Sequence, residues 1–169
     1  MKKELTRRSF LKLAGVGTLA VAMSGSLTGC DVIDNLKDMD SVSAAIGDVK
    51  FMLSASVWVN NGSNGMSYQP TCEIRNNSKK AVTYGGSGCE VIITGVLTDK
   101  NGKEYPMTYA GENGSAPAGE KYEVKDFKLV AVGKELHMES SKVVTTFTYN
   151  GRKAVFTEYN DGNITSKVE

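Results

Sequence analysis

Histidine is almost missing from this chain: His137 is the only one in 169 residues. Zinc, copper and non-haem iron sites draw on several His or Cys ligands. A lone histidine offers no such set, and a blue-copper site, which needs two, is excluded for a single chain. His137-Met138, with Met52, Met66 and Met107 elsewhere, reads as a surface histidine and scattered core or loop methionines. The acidic stretch Asp31 to Asp40 lacks the glycine and bidentate glutamate of an EF-hand. C-x-x-C spacing is absent, as are a phosphate loop and a dinucleotide fingerprint. Gly85-Gly86-Ser87-Gly88-Cys89 fails the G-x-S-x-G pattern, because Cys89 stands where the last glycine should be. A nucleophilic pair of Cys89 or Cys72 with His137 would need an exposed thiol of lowered pKa. The composition therefore points to no enzyme, no catalytic residue, no metal and no cofactor.

Two further absences bound the class. No apolar run reaches the roughly 18 residues of a membrane span, so the chain is not polytopic. Basic residues are not in excess, at 20 Lys+Arg against 19 Asp+Glu, which speaks against nucleic acid as a partner. Near-zero net charge and 40% apolar residues are those of a folded chain rather than a disordered one.

What is present begins with an address. Lys2, Lys3, Arg7, Arg8 and Lys12 face one acid, Glu4, before residue 29. A short apolar stretch follows from Leu13 to Met23, diluted by Gly15, Gly17 and Thr18. Thr6-Arg7-Arg8-Ser9-Phe10-Leu11-Lys12 resembles the twin-arginine export motif, S/T-R-R-x-F-L-K, at every fixed position. The resemblance implies recognition by the twin-arginine translocase and export across a bacterial cytoplasmic membrane after folding. Leu27-Thr28-Gly29-Cys30 is similar to a lipobox, L-[AST]-[GA]-C. Small residues before the cysteine let the peptide fit its peptidase, and the Cys30 thiol is the nucleophile that takes the diacylglycerol. The pattern implies cleavage before Cys30 and stable anchoring in membrane lipid through two or three acyl chains. Residues 1–29 are then a signal peptide, and the rest of the chain carries net charge −3.

Residues 30–47 read as a tether, with Asp31, Asp34, Asp38 and Asp40 holding the domain off an anionic lipid surface. From residue 48 to 169 the apolar period is two rather than 3.6. Phe51, Leu53, Ala55, Val57 and Val59 alternate with Met52, Ser54, Ser56 and Trp58. Residues 60–67 are a loop by composition. Strands are expected over 68–76, 81–84, 89–98, 104–110 and 120–132, the last with a bulge near Asp126 where the phase slips. Asn150-Gly151 is the strongest hairpin signal. A two-residue turn there pairs Tyr149 with Arg152, Phe147 with Ala154 and Thr145 with Phe156. Asp161-Gly162 allows a final turn and a short strand. Seven to nine strands with frequent turns and no long helix predict an all-β sandwich or barrel.

The run CEIRNNSKKAV, VIITGVLTDKNGKEY and APAGEKYEV is similar to small immunoglobulin-like domains of bacterial envelope lipoproteins. The shared motifs are turns, over roughly residues 50–130, and Ala116-Pro117-Ala118-Gly119-Glu120 is one residue longer than the usual P-G-E. The resemblance implies an immunoglobulin-like antiparallel β-sandwich and carries no activity. Setting Cys30 aside leaves Cys72 and Cys89, an even number in an exported domain. A disulfide between them is the leading expectation, with a redox pair or two buried free thiols as alternatives. Strict alternation puts Trp58 opposite the aliphatic face. Either a bulge returns it to the core, or it forms a binding patch with Met66 and Tyr68.

These features together give an expected function. The chain reads as a lipid-anchored binding or scaffolding module on the extracytoplasmic face of a bacterial membrane, with an envelope protein as partner. The alternative is a redox or metal-handling accessory lipoprotein, because twin-arginine export often carries cofactor proteins.

Overall fold

The computed structural model describes residues 41–60, 65–131 and 140–169. The export motif, the lipobox with Cys30, the tether before residue 41 and His137-Met138 lie outside the described residues.

Twelve strands are described: β1 (Val42–Ile46), β2 (Val49–Asn60), β3 (Met66–Asn76), β4 (Val82–Gly85), β5 (Val91–Asp99), β6 (Glu104–Tyr109), β7 (Gly114–Ala116), β8 (Glu120–Val124), β9 (Leu129–Ala131), β10 (Ser140–Tyr149), β11 (Arg152–Tyr159) and β12 (Ile164–Val168). The fold is all-β and antiparallel, apart from the short parallel pair of β4 with β5. Hydrogen bonding runs along one path, β1-β2-β3-β9-β6-β5-β10-β11-β12. The path coils until its two ends meet, where the Ser166 hydroxyl of β12 donates to the Ser43 carbonyl of β1 at 2.9 Å. Two layers thus enclose one core, as a sandwich does, but no gap in hydrogen bonding separates two sheets.

Period-two alternation produces that core. On β5 Val91, Ile93 and Leu97 point inward, while Ile92 and Thr94 point out. Gly95 shares the inward parity, and a Cβ there would stand 2.8 Å from Leu129 Cδ1, so glycine lets β9 pack closely. The last hairpin forms in the expected register, Tyr149↔Arg152, Phe147↔Ala154 and Thr145↔Phe156. Asn150 and Gly151 both have positive φ, 50° and 74°, which a type I′ turn requires. An irregularity sits at the expected Asp126, with φ 53°. Between the pairs Cys72↔Val124 and Tyr68↔Leu129, β3 advances four residues and its partner five. The extra residue divides what alternation alone reads as one strand into β8 and β9.

Two boundaries need correcting. The domain begins before residue 48: Val42 to Ile46 form β1, paired to β2 through the Gly47-Asp48 turn, with Ala44 and Ile46 buried. The alternation Val42-Ala44-Ile46 carried this signal, but small residues in a serine-rich run resemble a tether. The expected loop between β6 and β8 also contains β7, which pairs with β4.

Candidate functional site

The expected disulfide is absent. Cys72 and Cys89 are both free thiols. Cys72 sits on β3 between Leu53 of β2 and Val124 of β8, while Cys89 lies in the turn before β5. In the sheet, β9 and β6 separate β3 from β5. The topology therefore does not make these cysteines neighbours. Burial pushes the Cys72 thiol well above its ordinary range.

Of the two readings of Trp58, the bulge that returns it to the core is the one found, and the alternative surface patch with Met66 and Tyr68 is not. Met66 and Tyr68 are core residues, 3% and 1% exposed. Trp58 packs against the core with its ring edge-on to Tyr68, centroids 5.8 Å apart. The cause is a bulge: Ser54 pairs with Thr71 but Ser56 pairs with Pro70, so one extra residue enters β2. Its effect is to reverse the parity of everything after it. Ser56 and Trp58 turn inward, and Val57 turns out to become 60% exposed.

Among the described residues, that reversal brings buried and half-buried polar side chains of β2, β3 and β11 together. Glu158 of β11 is 6% exposed. Its strand parity is that of Ala154 and Phe156, so its carboxylate enters the interior. The Tyr68 hydroxyl donates to Oε2 at 2.6 Å. Trp58 Nε1 donates to Oε1 at 3.3 Å and to the Ser56 hydroxyl oxygen at 2.9 Å. Ser56 in turn donates to Oε1. β2 and β3 thereby reach β11, with which neither is paired in the sheet. The Tyr68 phenol is held far above its usual range, first by burial and then by the Glu158 charge and hydrogen bond. It remains a donor at any ordinary pH. Sequence reading missed Glu158, yet a signal existed: it is an acid on the face that Phe147 and Phe156 mark as core.

A second buried polar group is phenolic. Tyr84 lies against Tyr122, ring centroids 5.9 Å apart, and burial raises its pKa. Tyr109 is pushed up to about 12, mainly by burial. Such phenols donate hydrogen bonds and do not act as bases near neutrality. A shallow cleft of about 310 Å³ lies between the turns at Gly47-Asp48 and Asn150, with Ser78, Tyr149 and Arg152 on its walls. Among the described residues no three His, Cys, Asp or Glu side chains gather as metal ligands.

No family model and no curated protein match this chain. A solved structure, that of Northeast Structural Genomics Consortium target SoR45, is similar over 74% of this chain and 84% of its own. Identity is 12% and the TM-score 0.39, a likeness that says nothing about function.

Proposed function

We propose that this chain is a lipid-anchored binding or scaffolding module on the extracytoplasmic face of a bacterial membrane, without catalytic machinery of its own. The observation that carries the reading is the order of two motifs, Thr6 to Lys12 and then Leu27-Thr28-Gly29-Cys30. Each motif supplies a different physical requirement, receptor recognition and a nucleophilic thiol at a small-residue cleavage site. The position of β1 adds a dimension. From Cys30 to Val42 the chain spans at most about 40 Å, so the domain would work close to the lipid surface. A partner would accordingly be another envelope protein or a ligand near that surface.

The test is lipid attachment. Mature protein from its native membrane should partition into detergent and carry acyl mass on Cys30. Cys30→Ala should release it to the aqueous phase, and Arg7 and Arg8 changed to Lys should slow export. An unmodified Cys30 thiol in the membrane form would end this reading. The redox or metal-handling alternative, motivated by the twin-arginine motif, predicts bound metal or a chromophore in the purified holoprotein. Metal analysis of the same sample separates the two.

A further inference from the structure

We infer that the outer face of β6, β5, β10, β11 and β12 is the surface on which two copies of this chain pair, sheet against sheet. The inference stands on strand register and goes beyond the anchoring proposed above without depending on it. Outward side chains of paired strands stand beside one another in rows. Thr108 pairs with Thr94, Thr94 with Thr146, and Thr146 with Val155, one row across four strands. Pro106, Val96, Val144 and Thr157 form the next row, which Thr165 of β12 continues. The first row meets its only charge where Lys167 ends it on β12, and the second has none. Val155 is buried, while Thr94, Pro106, Thr108 and Thr165 are exposed. Two large apolar side chains left in water, Ile92 at 38% and Tyr159 at 41% exposure, belong to the same face at opposite ends. Glu104, Lys142 and Lys153 stand at its margin, as a polar rim does.

The opposite wall is built otherwise. There Lys50, Arg75 and Lys121 share one row and Met52, Glu73 and Glu123 the next, with Lys121 paired to Glu73 at 2.8 Å. Both walls enclose the same core with the same period, so the core does not require the difference. Loss of charge from the centre of a face is what covered surfaces show. A neutral face offers no hold to a charged ligand or headgroup, and it opposes no charge to its own copy. In a two-fold pair each patch meets itself, so a central charge would meet a like charge. Threonine meets threonine on good terms, methyl against methyl and hydroxyl donating to hydroxyl. Strands about 4.8 Å apart and alternate residues about 6.8 Å apart give five strands and four rows a face of about 20 by 20 Å. Two such faces cover about 800 Å² in projection, the scale of weak, reversible association rather than of a permanent dimer. Pairing should therefore appear at micromolar concentration.

The test is the mass of the full-length chain in neutral detergent, with micelles in excess of protein, by sedimentation from about 1 to about 200 μM. The protein mass should rise from one chain to two across that range. Thr146→Lys sets like charges against each other at the centre of the pair and should weaken it at least about 100-fold. Thr146→Glu should do the same, and an equal mixture of the two variants should restore pairing because Lys then meets Glu. Lys50→Glu, on the opposite wall, should leave the wild-type curve unchanged. Far-UV circular dichroism checks folding, and if the Thr146 variants fail it, Thr94→Lys and Thr94→Glu on the adjoining strand carry the same test. A single-chain mass for the wild type at the highest concentration would leave the face to a different protein and overturn the inference. Undiminished pairing in Thr146→Lys, a mixture that stays single-chain, or loss of pairing in Lys50→Glu would overturn it as well.

Discussion

A thiol with no surface in water is a poor target for a reagent that stays there. Cys72 is fully buried, and burial also suppresses its thiolate, the reactive form. Cys89 is partly exposed. Iodoacetamide on the native protein should therefore label Cys89 and spare Cys72, and unfolding should expose both. Peptide mapping after brief labelling checks this, and equal rates at the two positions would contradict the burial of Cys72. Replacing Cys72 by Ser sets a hydroxyl between Leu53 and Val124 and should cost about 1–3 kcal/mol in urea unfolding. At this scale the sequence was legible where one residue dictates a conformation and silent where chemistry depends on neighbours. Glycine at 151 announces its turn. Glu158 acquires its meaning only from Ser56, Trp58 and Tyr68, at least 90 positions away.

Strands were legible as periods, and their turns as residue types. Asn150-Gly151 fixed a whole register because both central residues of a type I′ turn need positive φ, which these two supply. Gly151→Ala should therefore destabilise the domain by about 1–2 kcal/mol, the cost of a Cβ in the left-handed region. Nothing lies within 4 Å of the added Cβ, so strain rather than collision is the cause. Urea midpoints of the two proteins measure it, and an unchanged midpoint would mean that the turn relaxes. The bulge in β2 was harder to place. Ala55 continues the alternation in residue type, so nothing in the run Ser54-Ala55-Ser56 marks the point where parity reverses. Near Asp126 the phase slip was visible because Val124 and Phe127 are both large and apolar, and both proved buried. A bulge can be read where it interrupts large apolar residues and is hidden where it falls among small ones.

Over the whole molecule, alternation tells which face a residue takes but not which strand lies beside it. β3 pairs with β8 and β9, and β5 with β10, across long stretches of sequence. The Cys72–Cys89 expectation failed at this step, since it needed adjacency as well as parity. What joins the layers is a ring cluster. Phe147 of β10 stacks on Phe51 of β2 at 4.7 Å, meets Phe156 edge-on at 5.6 Å and lies 6.1 Å from Phe127. β2 and β10 are not hydrogen-bonded to each other, so the Phe51–Phe147 contact crosses the interior. Phe147→Ala should cost about 3–5 kcal/mol. That is a large share of the roughly 5–15 kcal/mol available to a domain of this size. The single variant measures burial and cavity together, so it does not isolate the contact. A double-mutant cycle with Phe51→Leu and Phe147→Leu does. If the stacked pair itself couples the layers, the cycle should give an interaction of about 0.5–1.5 kcal/mol. Additivity within about 0.3–0.5 kcal/mol would mean that each ring is stabilised by its own layer and that the two do not act as a pair.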